Sequence, residues 1–150
     1  MGEQTEKVYI IMENTIRSME GEQQESREMF VGELENRGGA EVLHFREQLV
    51  EDGQAQEVTD VYFHIHPDTV MLMRKGVFSM NMVFRRGRPY EGSYHTPYGS
   101  FPLHLHCSHL KCDSGAEGGQ VEIRYQLNSE GGGTSHHVLL RYARQPLDHG

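Results

Sequence analysis

The chain has little positive charge and no long apolar run. It contains 14 Lys and Arg residues against 22 Asp and Glu, which gives a formal net charge of -8 at pH 7. This balance argues against broad nucleic-acid binding, which needs clustered basic side chains to neutralise phosphates. The basic cluster at 85–88 is predicted to be a solvated hairpin loop. Since no apolar stretch approaches about 18 residues, the sequence predicts no transmembrane helix and no membrane partner.

Apolar N-terminal residues and cysteines are also scarce. The first six residues are acidic and lack the apolar core of a signal peptide, which predicts a cytoplasmic protein. In that compartment Cys107 and Cys112 are expected to be reduced thiols. With 150 residues, the chain is expected to form a single domain, 1–150, with its core at about 6–143.

What the sequence does contain is a regular alternation of apolar and polar residues. Val121, Ile123 and Tyr125, for example, alternate with polar residues, as half-buried antiparallel strands require. Turn signals rich in glycine and proline, such as 97–99 and 131–133, separate these stretches. Residues 17–28 are polar enough to suggest a loop or a short helical turn. The pattern predicts about ten strands, at 6–18, 26–36, 40–50, 55–66, 69–75, 77–86, 89–96, 100–111, 120–129 and 135–143.

Ten strands with little helix need a closed or nearly closed sheet to remove exposed edges. The sequence therefore predicts an all-β fold, a single antiparallel up-and-down β-barrel of about 8–10 strands. A β-sandwich is the alternative, because alternation alone does not separate the two. The predicted inward residues are large, so much of the lumen is expected to be filled. They are Phe45, Phe63, Phe78, Met80, Met82, Phe84, Tyr94, Phe101, Leu103, Leu105 and Tyr125.

Several polar residues fall on the predicted inward face. Arg74 continues the register of Leu72, and Glu47 continues that of Phe45. An inward charge must be paired or hydrated, because an unpaired buried ion costs on the order of several kcal/mol. We expect either a ligand anchor, in which Arg74 engages a carboxylate or phosphate, or an ion pair that plugs one barrel end and fixes strand register. The predicted cluster consists of Glu47, Thr59, Arg74, Tyr94 and Thr96.

The histidine-rich segment between His104 and Cys112 suggests a zinc site at first sight. Strand alternation weakens this interpretation, because it places His104 and His106 outside the barrel and assigns Cys107 and His109 to the other face. We therefore expect no metal ion and no cofactor. The sequence also shows no nucleophile elbow and no phosphate-binding loop. It thus predicts no catalytic residues, and the protein is not expected to be an enzyme.

Several short segments, taken in their order and spacing, resemble a bacterial family. The segments are 74–76, 80–84, 94–101 and the last strands, which carry Tyr125 and 138–140. Together they are similar to the YwiB-like proteins, a family of unknown function whose members form lipocalin-like (calycin) β-barrels. The resemblance runs from roughly Met29 to Tyr142. It implies the barrel fold and no particular activity.

Two functional hypotheses follow. By analogy with calycins, the first is a cytoplasmic barrel that binds a small apolar or amphipathic ligand. The alternative is a non-catalytic structural or interaction protein with a side-chain-filled barrel, forming a homodimer. A contiguous apolar outer face would favour the alternative, and Met73, Val83 and Leu139 are candidates for it.

Overall fold

The computed structural model describes residues 5–51, 53–129 and 132–146. Within these ranges the chain is almost entirely strand and contains no helix, hence none that could span a membrane. The strands are β1 (Thr5–Ser18), β2 (Gln23–Arg37), β3 (Ala40–Glu51), β4 (Gln54–Ile65), β5 (Val70–Lys75), β6 (Ser79–Phe84), β7 (Pro89–Thr96), β8 (Gly99–Ser114), β9 (Gly118–Ser129) and β10 (Gly132–Ala143).

These strands form a closed antiparallel barrel. Each strand pairs with its neighbour in sequence, and β1 pairs with β10 to close the sheet. The predicted up-and-down barrel is therefore confirmed, and the sandwich alternative is wrong. Closure satisfies the backbone groups that terminal strands would otherwise expose at an edge.

The inward register carries the apolar core, as the alternation predicts. On β1, Val8, Ile10 and Met12 are 3% exposed or less. The corresponding positions of other strands, such as Phe63 on β4 and Leu140 on β10, are equally buried. Burial of these side chains is the main force that selects the register, since a slip of one residue would turn every apolar side chain outward.

The hairpin between β1 and β2 is longer than the sequence suggests. Residues 17–28, interpreted above as a loop or a helical turn, are strand except for the turn at 19–22. This part of β2 is exposed on both faces, so it carries no apolar alternation for sequence reasoning to detect. Its strand conformation comes instead from pairing with β1, which begins at Arg17 opposite Gln23.

A β-bulge in β8 corrects the predicted orientation of one histidine. Cys107 pairs with Tyr125, but the next pair is His109 with Arg124, so Ser108 is the extra residue. Because a bulge shifts the alternation by one position, His109 lies on the outer face and not on the face of Cys107. Cys107 is buried, while His109 contacts Glu122 outside the barrel.

The barrel has two different ends. We call the end with the hairpins at 19–22, 76–78 and 97–98 the mouth, and the opposite end, with the turns at 38–39 and 85–88, the base. The base is filled by apolar side chains and by Tyr142, whose buried hydroxyl donates to Glu41 Oε1 over 2.5 Å. This pairing satisfies the polar tip of a large core residue.

Candidate functional site: a cavity at the barrel mouth

The lumen is open in its mouth half, where a cavity of about 290 Å³ lies between the strands. Its apolar wall continues the core, and its polar residues lie toward the mouth. A barrel of ten strands is wider than one of eight, whose interior is just filled by side chains, so such a space is expected. The apolar lining is Met12, Ile16, Phe63, Leu72, Met80, Met82, Phe84, Ile123 and Val138, and the polar lining is Asn14, Ser26, Glu28, Arg74, Tyr125 and His136.

Two predicted fillers of the lumen do not fill it. Phe101 is 47% exposed and Phe78 is 38% exposed, and Phe78 stacks on Tyr94 with ring centroids 6.1 Å apart. Together with the exposed Val77 and Tyr98, they give the mouth an apolar rim. The expectation of a largely filled lumen thus holds for the base and fails for the mouth.

The strand pairing explains why the cavity opens here. β2 pairs with β3 only between 33–37 and 40–44 among the described residues, so the part of β2 nearer the mouth is held by β1. At Gly32 the two strands are still in close contact, because a Cβ there would collide with His44 and Phe45 of β3. Beyond Gly32 the two strands separate, and Ser26 and Glu28 face the cavity from one side.

Arg74 is the cation of the cavity, and Glu47 is its partner. Arg74 Nη1 donates to Glu47 Oε1, and the two side chains are 27% and 23% exposed. Burial lowers the pKa of the Arg74 guanidinium, while the nearby Tyr125, Glu28 and Tyr94 raise it. Because arginine has the highest ordinary pKa of any side chain, Arg74 stays charged despite this lowering.

The structure brings together part of the predicted polar cluster. Thr59 lies opposite Glu47 in the β3–β4 register, on the same face as the ion pair. Tyr94 shares the register of Arg74 through Met80, two strands away. Thr96 instead belongs to the β7–β8 turn, where its hydroxyl donates to the Gly99 carbonyl and accepts from the Tyr98 amide.

Sequence reasoning missed five polar residues of the cavity, among them Ser26, which lies in the segment 17–28 interpreted as a loop. Tyr125 was predicted only as core, and Glu28 lies in the segment interpreted as a loop. Asn14 and His136 carried no motif, although the inward register of β1 and β10 places them here. Tyr125 stacks on His136 with ring centroids 4.6 Å apart. Burial raises the pKa of Tyr125 to about 12 and lowers that of His136, so both are uncharged at neutral pH.

A family model described as a domain of unknown function (DUF1934) matches residues 10–140. The chain belongs to the DUF1934 family. A search of curated proteins finds no match.

The fold of this DUF1934 protein matches a solved structure. The crystal structure of the ywiB protein from Bacillus subtilis aligns with a TM-score of 0.80 and 18% sequence identity. The alignment covers 93% of this chain and 92% of that chain. The YwiB-like resemblance and the barrel that it implied are therefore confirmed. At this level of identity the likeness concerns the fold alone.

Outside the cavity, this DUF1934 barrel carries a carboxylate between two imidazoles. Glu122 contacts His109 Nε2 at 3.1 Å and His137 Nε2 at 2.8 Å on the outer face of β8, β9 and β10. The described residues contain no group of three or more side chains arranged to hold a metal ion. These contacts lower the pKa of Glu122, with the largest contribution from His137.

Proposed function

We propose that this protein is a non-enzymatic binding protein that holds a small amphipathic molecule in the mouth half of its barrel. The observation that carries the proposal is a cavity with an apolar wall and a half-buried cation, Arg74. Ligand sites typically combine apolar linings with a few placed polar groups in volumes of roughly 300–1,000 Å³. The cavity is at the lower limit of that range, so the ligand is small.

The lining suits an apolar tail of variable shape. Met12, Met80 and Met82 line the cavity, and methionine adapts to irregular partners better than branched residues do. Transfer of a ligand's apolar surface out of water contributes a favourable free energy of roughly 25 cal/mol per Å² buried. The exposed Phe78, Tyr98 and Phe101 extend this apolar surface to the entrance.

A cytoplasmic location is part of the proposal. Cys107 and Cys112 are free thiols, which is the state expected in a reducing compartment.

A large side chain on the inward face of β6 should block the cavity, whereas the same side chain on the outward face should not. Met80 of β6 lines the cavity, whereas the next residue, Asn81, is exposed on the outside. We expect Met80→Trp to abolish binding of a small amphipathic probe, 2-phenylethanol, and Asn81→Trp to leave it intact. Saturation-transfer NMR on tag-free protein measures the binding, and circular dichroism checks that both variants fold. Equal signals in all three proteins, or none with the wild type, would rule out the lumen as the site.

The Arg74–Glu47 pair also has a structural interpretation, namely a plug that fixes strand register. Arg74→Met separates the two roles, since it removes the cation and leaves Glu47 without its partner. A variant that keeps the barrel's circular dichroism spectrum but no longer binds supports a ligand anchor. Loss of folding that the double variant Arg74→Met, Glu47→Leu restores supports a plug.

The second candidate function is self-association, with a second copy of this chain as the partner. Met29 and Val31 on the outside of β2 are 56% and 58% exposed, and they lie opposite Ile11 and Tyr9 of β1. Size-exclusion chromatography with light scattering tests this candidate directly. A dimer mass that Val31→Glu reduces to the monomer mass would favour it, whereas a monomer in the wild type would exclude it.

A further inference from the structure

The polar end of the cavity carries both signs of charge. Arg74 and Glu28 both line it, and they lie close enough for the Glu28 carboxylate to raise the pKa of the guanidinium. Outside the lining, Glu47 already occupies one N–H group of Arg74. The neighbourhood therefore contains one cation and two carboxylates.

Tyr125 adds a hydrogen-bonding group that has no partner. The residue is 8% exposed and lines the cavity, and no described residue hydrogen-bonds its hydroxyl. The hydroxyl is not among the fully buried unpaired atoms of the described residues, so it reaches the open space of the cavity and can hydrogen-bond a ligand there. The remaining N–H groups of Arg74 are also without a described protein partner. Two donors at the polar end of the cavity are thus available to a ligand.

These groups restrict the head group that a ligand can carry. A carboxylate suits Arg74 but meets the negative charges of Glu28 and Glu47. An ammonium suits Glu28 but meets the positive charge of Arg74. Either ion also loses hydration on entering a half-buried space, which costs more than desolvation of a neutral group.

We infer that the ligand carries a head group of zero net charge that both accepts and donates hydrogen bonds, the simplest example being a carboxamide. Its carbonyl oxygen accepts from Arg74 and from the Tyr125 hydroxyl, and its N–H groups donate to Glu28. Its apolar tail occupies the methionine- and phenylalanine-lined wall. This inference rests on the proposed function and specifies the chemical class of the ligand.

Three molecules with one tail and different head groups test the inference. They are 3-phenylpropanamide, 3-phenylpropanoate and 3-phenylpropylamine. We expect the amide to bind the wild-type protein at least about tenfold more tightly than the acid or the amine, by isothermal titration calorimetry at neutral pH. An acid or amine that binds as tightly as the amide would overturn the inference.

Variants of the lining give a second readout. Tyr125→Phe removes the hydroxyl alone and is expected to weaken amide binding by about five- to tenfold. Glu28→Gln removes the negative charge of this lining residue and is expected to strengthen acid binding and weaken amine binding. Glu25→Gln is the matched control, since Glu25 lies on the same strand with its exposed side chain in the opposite register, beside Thr15. Equal effects of the Glu25 and Glu28 changes would show that overall charge, and not this site, sets the preference.

The outcome also separates this inference from the proposal on which it rests. Binding of 2-phenylethanol with a preference for the acid or the amine would leave the lumen site intact and remove only the assignment of the head group. Absence of binding by all four molecules would remove both.

Discussion

At the scale of single residues, the base of the barrel leaves no room for additional atoms. Gly119 of β9 lies against the Tyr142 ring, and a Cβ at this position would be closer to the Tyr142 hydroxyl and to Cζ than van der Waals contact permits. Tyr142 is 1% exposed and tied to Glu41, so it cannot move aside easily. The glycine is thus required by packing and not by its backbone angles.

We expect Gly119→Ala to lower the free energy of unfolding by about 1–3 kcal/mol, the usual cost of overpacking a dense core. Gly115→Ala serves as the control, because a Cβ there would meet no atom within 4 Å. Urea denaturation of both variants measures the difference. Equal stability of the two variants would contradict the packing argument.

At the scale of strands, the bulge in β8 inserts one residue between side chains that face the lumen. Ser108 is the inserted residue, and it separates the inward Cys107 from the inward Leu110 and Cys112. Without Ser108, simple alternation would still place Cys107 and Leu110 inside and His109 outside. The barrel therefore tolerates the bulge without depending on it for the position of its core residues.

Deletion of Ser108 is accordingly expected to change the free energy of unfolding by less than about 1 kcal/mol. Deletion of Gln126, in the unbulged partner strand β9, should unfold the protein, because the register beyond it reverses. Thermal unfolding followed by circular dichroism distinguishes the two variants. An unfolded Ser108 deletion would show that the bulge itself is required.

The outer face of β8, β9 and β10 gives a prediction on pH. The pKa of Glu122 is lowered in the folded state, so its contribution to stability is present above its unfolded value near 4.5 and is lost as the pH falls through the lowered value. We expect Glu122→Gln to be less stable than the wild type near neutral pH and the difference to shrink in acid. Glu117→Gln, an exposed carboxylate outside this contact, is the control for urea denaturation between about pH 3 and pH 7. Parallel curves for wild type and Glu122→Gln would exclude the effect.

At the scale of the whole molecule, the two halves of the barrel differ in packing. The base half is dense, and Ile10 of β1 is 1% exposed there, while Ile16, which shares the inward register of β1 nearer the mouth, is only partly buried. Local stability follows the number of buried apolar contacts, so the mouth is the region that opens first. A mouth that opens more readily than the base is compatible with the ligand binding proposed above.

Amide hydrogen exchange should reflect this difference. We expect amides of β1 near Ile10 to exchange far more slowly than those near Arg17, although both belong to one strand. A ligand in the cavity should slow exchange in the mouth hairpins and leave the base unchanged. Uniform exchange rates along β1 would contradict the difference in packing between the base and the mouth.

The sequence alone determined the fold class of this protein. The period of two determined which side chains of Val121 through Tyr125 face the core, because burial of one face leaves a strand no other register. It also placed Glu47 and Arg74 on the inward face, since both continue an apolar series. The regular spacing of turns then favoured a closed barrel over a β-sandwich, and the pairing of β1 with β10 decided between the two.

Only the tertiary structure decided the cavity. Whether the lumen is filled depends on where β2 leaves β3, and this separation leaves no local signal in the sequence. The contribution of Glu28 was hidden because its segment has no apolar face, and the outward position of His109 depends on a bulge that alternation does not reveal. Tyr125 resembles any core tyrosine in sequence, and its unpartnered hydroxyl becomes visible only when distant strands come together around it.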